Sequence, residues 1–297
     1  MLIGKAAAYR RTRPPVLDAR RQHSCAHHNR GMDLAKHCIV KPGSKPRLKD
    51  RDPDETFGKR RNDQALEKTL DQLRRLQQLL YADRRYALLI VLQALDAGGK
   101  DGTIRHVMSG VNPQGCQVTA FKAPTQEELA HDFLWRVHKA VPALGNIGIF
   151  NRSHYEDVLV VRVHKLVPKQ LWHKRYRHIN DFEKMLTDHR VIILKFFLHI
   201  SRDEQKRRLE ARIQDPSRNW KFSMADVEER QHWDDYTKAY EDALEKCSTD
   251  QTPWYVIPSN NKWFRNYLVA ELVVRALDQM GLKYPRPTVD ISKVVLD

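Results

Sequence analysis

The sequence predicts an α/β fold: a parallel sheet covered by helices on both faces. Three observations point there. The chain has 297 residues, 41% of them hydrophobic, enough to bury the core of one large or two ordinary domains. Short apolar runs recur along it, bounded by turn residues and too brief for helices, as strands buried on both faces look. Segments with apolar residues at helical spacing separate these runs, and strand alternating with helix is the pattern of a parallel sheet with helical crossovers.

Taken in order, the stretch to about residue 60 is rich in Arg, Pro and His and shows no sustained period. Its first 50 residues hold twelve Lys and Arg against three Asp, and residues 1–60 read as a basic arm without a fold of its own. Cys25, His27, His28, His37 and Cys38 lie in that arm without the fixed-loop spacing of a zinc site. The four cysteines of the chain form no CxxC pair, so reduced thiols are expected.

From residue 64 the pattern becomes regular. Leu66, Leu70, Leu73, Leu76, Leu79 and Leu80 make a helical stripe over 64–80. The run 87–92 is the first strand, and similar runs at 117–121, 147–150, 191–200 and 254–257 are the others. Helices are expected at 125–141, 153–163, 169–186, 204–213, 223–244 and 262–280. Four of these begin with a hydroxyl and an acid three residues later, Thr125 with Glu128, Ser153 with Glu156, Ser201 with Glu204 and Ser223 with Asp226, as capping boxes do. Those acids therefore read as caps, and Glu156 as much a cap as a metal ligand. Residues 61–297 are expected to form one domain.

Charge narrows the partner. The chain carries +15 formally. Nine of that excess lies in the first 50 residues and six in the remainder, which points to a polyanion: nucleic acid, an anionic membrane or a highly phosphorylated substrate. No apolar run approaches the roughly 20 residues of a bilayer helix, and the basic start lacks the apolar segment of a secretory signal. A cytoplasmic protein without a membrane partner is the expectation.

The most informative segment follows the first strand: Asp96, Ala97, Gly98, Gly99, Lys100, Asp101, Gly102, Thr103. A strand entering a Gly-rich turn that opens a helix aims backbone N–H groups at one point, where an anion sits, and a lysine there reaches outer phosphates. Against the strict phosphate-loop pattern, Ala94 replaces the first glycine and Asp101 the hydroxyl, with Thr103 two places late. An ordinary Gly-rich turn is the plain alternative. Asp96 within such a loop would repel phosphate unless a cation lies between, which points to magnesium; otherwise it stabilises the turn. A second cluster, Asn151 to Asp157, ends the 147–150 strand, and there Arg152 and the acids Glu156 and Asp157 are expected to face the crevice beyond the sheet's carboxyl edge. There Arg152 is a candidate electrostatic clamp and Asp157 a metal ligand or base, or the two form a local ion pair. Third, Arg202, Lys206, Arg207, Arg208 and Arg212 precede Asn219, Trp220 and Lys221: a basic lid over phosphates, or a solvated face.

Together the segments LQALDAGGKDGTI (92–104), NPQGCQV (112–118), KAPTQEELAHDFLWR (122–136), GIFNRSHYEDVLVVRVH (148–164), NWKFS (219–223) and PWYVIP (253–258) resemble the family 2 polyphosphate kinases, over about 64–285. The resemblance implies a three-layer P-loop kinase fold similar to thymidylate kinase, with a helical lid at about 202–225. It implies reversible phosphoryl transfer between inorganic polyphosphate and ADP or AMP, aided by magnesium or manganese. Asp96, Lys100, Arg152 and Asp157 become the implied catalytic residues, with Asp96 and Asp157 holding the metal. Gly98, Gly99, Lys100, Asp101, Gly102, Thr103, Lys122, Arg136, Asn151, Tyr155, Arg208, Arg212 and Lys221 become the implied phosphate and nucleotide contacts. Asn151 stands where the family often has Asp, and the Asn-Arg-Ser-x-Tyr-Glu-Asp form is similar to the subgroup that accepts both AMP and ADP. A homodimer or homotetramer is also implied. Two rivals stand beside this reading: an ATP-dependent nucleoside monophosphate kinase of the same fold, and a non-catalytic basic nucleic-acid-binding protein. On the first reading any nucleic acid would meet only the arm, and without sequence preference.

Overall fold

The structure is a computed structural model and describes residues 33–294 and 296. The first 32 residues of the expected arm, Cys25, His27 and His28 among them, lie outside the described residues. The chain forms α1 (Leu34–Cys38), α2 (Asp63–Asp83), β1 (Ala87–Gln93), α3 (Lys100–Val107), β2 (Cys116–Ala120), α4 (Gln126–Leu129), α5 (Trp135–Lys139) and β3 (Ile147–Asn151). It continues through α6 (Val160–Val163), α7 (Lys169–Asp188), β4 (Val191–His199), α8 (Arg202–Gln214), α9 (Met224–Glu229), α10 (Trp233–Lys246), β5 (Trp254–Pro258) and α11 (Lys262–Gln279). No described helix is long and apolar enough to cross a membrane.

The five strands pair in parallel in the order β2-β3-β1-β4-β5. All seven residues of β1 are buried, and alternation along it feeds two cores. Leu88, Ile90 and Leu92 join Leu73 and Leu80 of α2 and Phe264 and Leu268 of α11 on one face. Ala87, Leu89 and Val91 join Ile179 and Phe182 of α7 and Tyr240 of α10 on the other. This is the expected three-layer α/β architecture. Since β1 lies between strands reached in opposite directions, a crevice opens beyond the carboxyl ends of β1 and β3.

Three helices are more broken than the periodicity suggests. The 125–141 segment has a capping box between Thr125 and Glu128, then stops, because the Asp132 carboxylate accepts the N–H of Leu134 and restarts the chain as α5. The 153–163 segment is a 3-10 turn over His154–Asp157 followed by α6. The 223–244 segment is α9 and α10 joined by a 3-10 turn at Arg230–His232.

The expectation of an unfolded arm is corrected from residue 33 onward. Cys38, Val40 and Leu48 are buried in the two cores, and Ile39 bridges Tyr255 on β5. The Val40 N–H donates to the Trp254 carbonyl at 2.8 Å, and Ser248 Oγ donates to the Val40 carbonyl at 2.6 Å. Individual backbone contacts hold this segment, which is why it shows no period.

Candidate functional site

Beyond the β1 and β3 ends lies a cleft of about 1210 Å³. Among the described residues it is lined by eleven Lys or Arg and four carboxylates, Asp96, Asp101, Glu204 and Asp226. Its floor is the β1–α3 loop. Ala97 at φ 57° and Gly99 at φ 105° turn the chain back, and the Gly98 N–H donates to the Leu95 carbonyl at 3.0 Å. A Cβ on Gly98 would sit 2.5 Å from that of Ala94, and one on Gly99 would run into the Arg265 guanidinium. Both glycines are thus demanded by packing.

Lys100 opens α3, and its Nζ donates to the Ala94 carbonyl at 2.8 Å. Burial, then the charge of Arg152, lowers its pKa, so an anion in the cleft is its natural complement. Arg152, in the left-handed region at φ 62°, donates from Nη2 to Asp96 Oδ1 at 2.7 Å and lies 3.7 Å from Glu156 Oε2. Burial opposes the Arg152 charge, but Glu156 and Asp96 outweigh it and raise its pKa. Burial raises the Glu156 carboxyl, against the pull of Arg152 and Lys100. Asp96, Arg152, Glu156 and Lys100 therefore form one electrostatic cluster.

Other expected contacts have structural partners. Asp101 accepts from Asn151 Nδ2 at 2.8 Å and from Lys221 Nζ at 3.3 Å, tying the loop to the segment after α8. Burial would raise the Asp101 carboxyl, but those bonds hold it below its ordinary value. Arg208 is wrapped in acceptors: Glu204, the Ala97 and Gly98 carbonyls at 3.0 Å, and the carbonyls of Ser259 and Asn260. Arg212 pairs with Asp226 at 2.8 Å, and Arg136 donates to the Lys122 carbonyl at 2.9 Å with Glu128 nearby. Lys122, Arg208, Arg212, Lys221 and Asn151 line the cleft, as do Gly98, Gly99 and Gly102; Arg136 does not.

Three more expected residues stand apart from it. Thr103 is buried, with its hydroxyl on the Gly99 carbonyl at 3.1 Å. Tyr155 points into the core, donating to Glu183 Oε1 at 2.8 Å and accepting from Lys195 Nζ at 3.0 Å. Asp157 binds Arg175 at 2.8 Å, and burial pushes its carboxyl up to about 6 despite that partner. Of the two acids in this turn, the one that reaches Arg152 is Glu156, one residue earlier. The sequence reads it as cap or ligand alike; in the fold Ser153 Oγ accepts the Tyr155 N–H, and Glu156 turns to Arg152. Asp226, read only as a cap, sends its carboxylate to Arg212 instead, and burial, then the Asp96 charge, raises its pKa. Lys262 and Arg265 of α11 also line the cleft. Arg265 lies outside every motif; burial and Arg208 pull its pKa down to about 10.

No trio of His, Cys, Asp or Glu gathers as a metal cage among the described residues. The hard oxygens of Asp96 at the cleft floor suit instead an ion held by one or two carboxylates, phosphates and water.

The comparisons agree with this geometry. Over 262 residues the chain is 53% identical to an AMP/ADP-polyphosphate phosphotransferase of Meiothermus ruber, covering 87% of this chain and 98% of that one. It is 49% identical over 237 residues to an ADP-polyphosphate phosphotransferase of Rhodopseudomonas palustris, covering 76% and 82%. The crystal structure of polyphosphate kinase 2 from Arthrobacter aurescens superposes with a TM-score of 0.82 at 44% identity, covering 85% of this chain and 92% of that one. Residues 56–285 match the polyphosphate kinase 2 family as a whole, so with its phosphate-loop floor and parallel sheet this chain belongs to that family.

Proposed function

We propose that the protein transfers a phosphoryl group between inorganic polyphosphate and ADP or AMP. The observation that carries this is the cluster of Asp96, Lys100 and Arg152 on the floor of a cleft whose walls are predominantly cationic, with Glu156 3.7 Å from Arg152 behind that floor. Phosphoryl transfer asks for alignment and for compensation of charge on the phosphoryl oxygens more than for covalent chemistry. In this reading Lys100 and the N–H groups of Gly99–Gly102 hold the phosphates at the transfer point. Arg152, fixed between two carboxylates, offers its guanidinium to the group in flight.

Magnesium or manganese, held through Asp96 with Glu156 as the neighbouring carboxylate, would neutralise phosphate charge. Asp157, ion-paired elsewhere, is left out of that role. Residues 202–225 act as a lid latched by the Lys221–Asp101 contact. A homo-oligomer and a cytoplasmic setting, where adenine nucleotides turn over, complete the reading.

The test follows ADP and ATP formation from polyphosphate and divalent metal, with AMP or ADP as acceptor. Synthesis that disappears in Lys100→Ala and without metal is the expected result. Transfer from ATP to a monophosphate, with none from polyphosphate, would overturn the donor assignment.

A further inference from the structure

No Asp or Glu stands between Asp157 and Asp181, yet that stretch carries Arg162, Lys165, Lys169, Lys174, Arg175 and Arg177. Two of these are neutralised locally, Arg162 on Asp242 at 2.6 Å and Arg175 on Asp157 at 2.8 Å. Arg177 reaches Asp181 only at 3.6 Å, with both side chains in solvent. Lys165, Lys169 and Lys174 are exposed, and among the described residues no carboxylate pairs with them. On α7, Lys169, His173 and Arg177 fall in one row with Lys174 and His178 beside it, while Trp172, Tyr176 and Ile179 face the core. Elsewhere helical cations are paired with acids: Arg74 with Glu67 and Asp71, Lys206 with Glu210, and Lys184 with Asp188 at the far end of α7 itself. The one-signed face is therefore a local feature of the first half of α7.

Topology brings this face to the cleft's edge. β3 and β4 both run parallel to β1, so α7, which connects them, runs back across the sheet and begins where the cleft opens. Arg175 donates to the Asp157 carbonyl at 3.1 Å, in the turn that follows Arg152. His178 packs 6.4 Å from Phe133, in the segment whose Arg136 holds the carbonyl of the cleft residue Lys122.

We propose that Lys165, Lys169, Lys174 and Arg177 form an outer track that holds the part of a long polyphosphate chain extending beyond the cleft. This rests on the phosphoryl-transfer reading above. A uniformly charged, flexible polyanion fits a row of unpaired lysines that makes no shape-specific demand. Contacts so far from the reacting group bind ground state and transition state alike, so they lower KM without changing kcat. Only chains long enough to reach the track benefit.

The experiment compares wild type with the triple variant Lys165→Glu/Lys169→Glu/Lys174→Glu. A control triple, Lys68→Glu/Arg75→Glu/Lys283→Glu, makes the same change of net charge at exposed positions on the opposite layer. Each is assayed with long-chain polyphosphate and with the shortest chain that wild type turns over. The expected result is a KM for long chains raised about tenfold in the first triple only, with kcat and the short-chain KM unchanged and a flatter salt dependence. Equal KM at both lengths, or an equal rise at both, overturns the track. Labelled duplex DNA lost by the first triple while polyphosphate binding persists would reassign the face to nucleic acid. A wild type inactive on polyphosphate of any length would instead overturn the function proposed above.

Discussion

At the scale of single residues, the adjacent acids Glu156 and Asp157 have opposite fates, and the difference is measurable. Glu156 shares Arg152 with Asp96, whereas Asp157 is bound to Arg175 behind the turn. Replacing Glu156 by Gln removes a charge that holds the Arg152 guanidinium, and kcat is expected to fall about a hundredfold, as when one preorganised electrostatic partner is lost. Asp157→Asn is expected to keep kcat within about threefold, because nothing at the cleft floor touches it. Steady-state kinetics of the pair checks this; an inactive, folded Asp157→Asn would return that acid to the site. Gly99 is a second residue of this kind. With φ at 105° and Arg265 where a Cβ would go, Gly99→Ala adds backbone strain of about 1–3 kcal/mol to a collision at the loop. Activity should fall further than the melting temperature does, since the loop is the phosphate seat and only part of the core.

At the scale of elements, the turn over His154–Asp157 is pinned from behind by a fully buried ionic network. Lys195 Nζ meets Glu183 Oε2 at 2.6 Å, the Cys247 carbonyl at 2.6 Å and the Tyr155 hydroxyl at 3.0 Å, while His154 Nε2 lies 3.2 Å from Glu183 Oε1. Burial would raise the Glu183 carboxyl, but Lys195 and the bond to His154 win and hold it at about 2. An acid depressed in the native state stabilises above its unfolded value, near 4.5, and that stability fades as pH falls from there toward 2. Glu183→Gln should therefore flatten the acid limb of the stability curve in that window. At neutral pH it should cost about 3–5 kcal/mol, because it strands Lys195 in the core, and denaturant unfolding across pH reads both effects. Tyr155 belongs to this network, which is why the motif suggested a ligand contact while the fold made it a strut. The motifs on strand ends were legible because a buried apolar run followed by Gly, Lys or Arg has few other uses. Asp226 was not, and Glu156 only as cap or ligand alike, since a hydroxyl three residues before an acid looks the same whether the acid caps or turns away. The lid contact belongs to this scale too. Lys221 and Asp101 are an exposed pair worth about 0.2–1 kcal/mol, so Lys221→Met should raise KM for polyphosphate by no more than about fivefold and leave thermal stability unchanged.

For the whole molecule, the two-core sheet was readable from the apolar runs, but the strap at 33–60 was not, and its contacts explain why. It contributes Cys38 to one core and Val40 and Leu48 to the other, too few buried residues over its length to set up a sustained period. Scattered hydrogen bonds do the rest. The Leu48 N–H donates to Glu241 at 2.7 Å, Arg51 Nη1 reaches the carbonyls of His37 and Cys38, and Asn260 Nδ2 donates to Asp54 at 2.8 Å. The strap crosses β5, the outermost strand, whose free edge would otherwise offer unpaired backbone groups to another chain. Its basic composition is thus a property of its exposed side chains and does not prevent folding. A chain beginning at residue 61 would uncover the β5 edge and lose the burial of three apolar side chains, each worth about 1.5–3 kcal/mol. Such a chain is expected to unfold at markedly lower denaturant and to associate through β5. The single variant Val40→Asp, which places a charge at a fully buried position, should reproduce most of the loss in the full-length chain. Equilibrium unfolding and sedimentation of the two proteins provide the check. A truncated chain as stable and monodisperse as the full one would mean that the strap only rests on a sheet already complete without it.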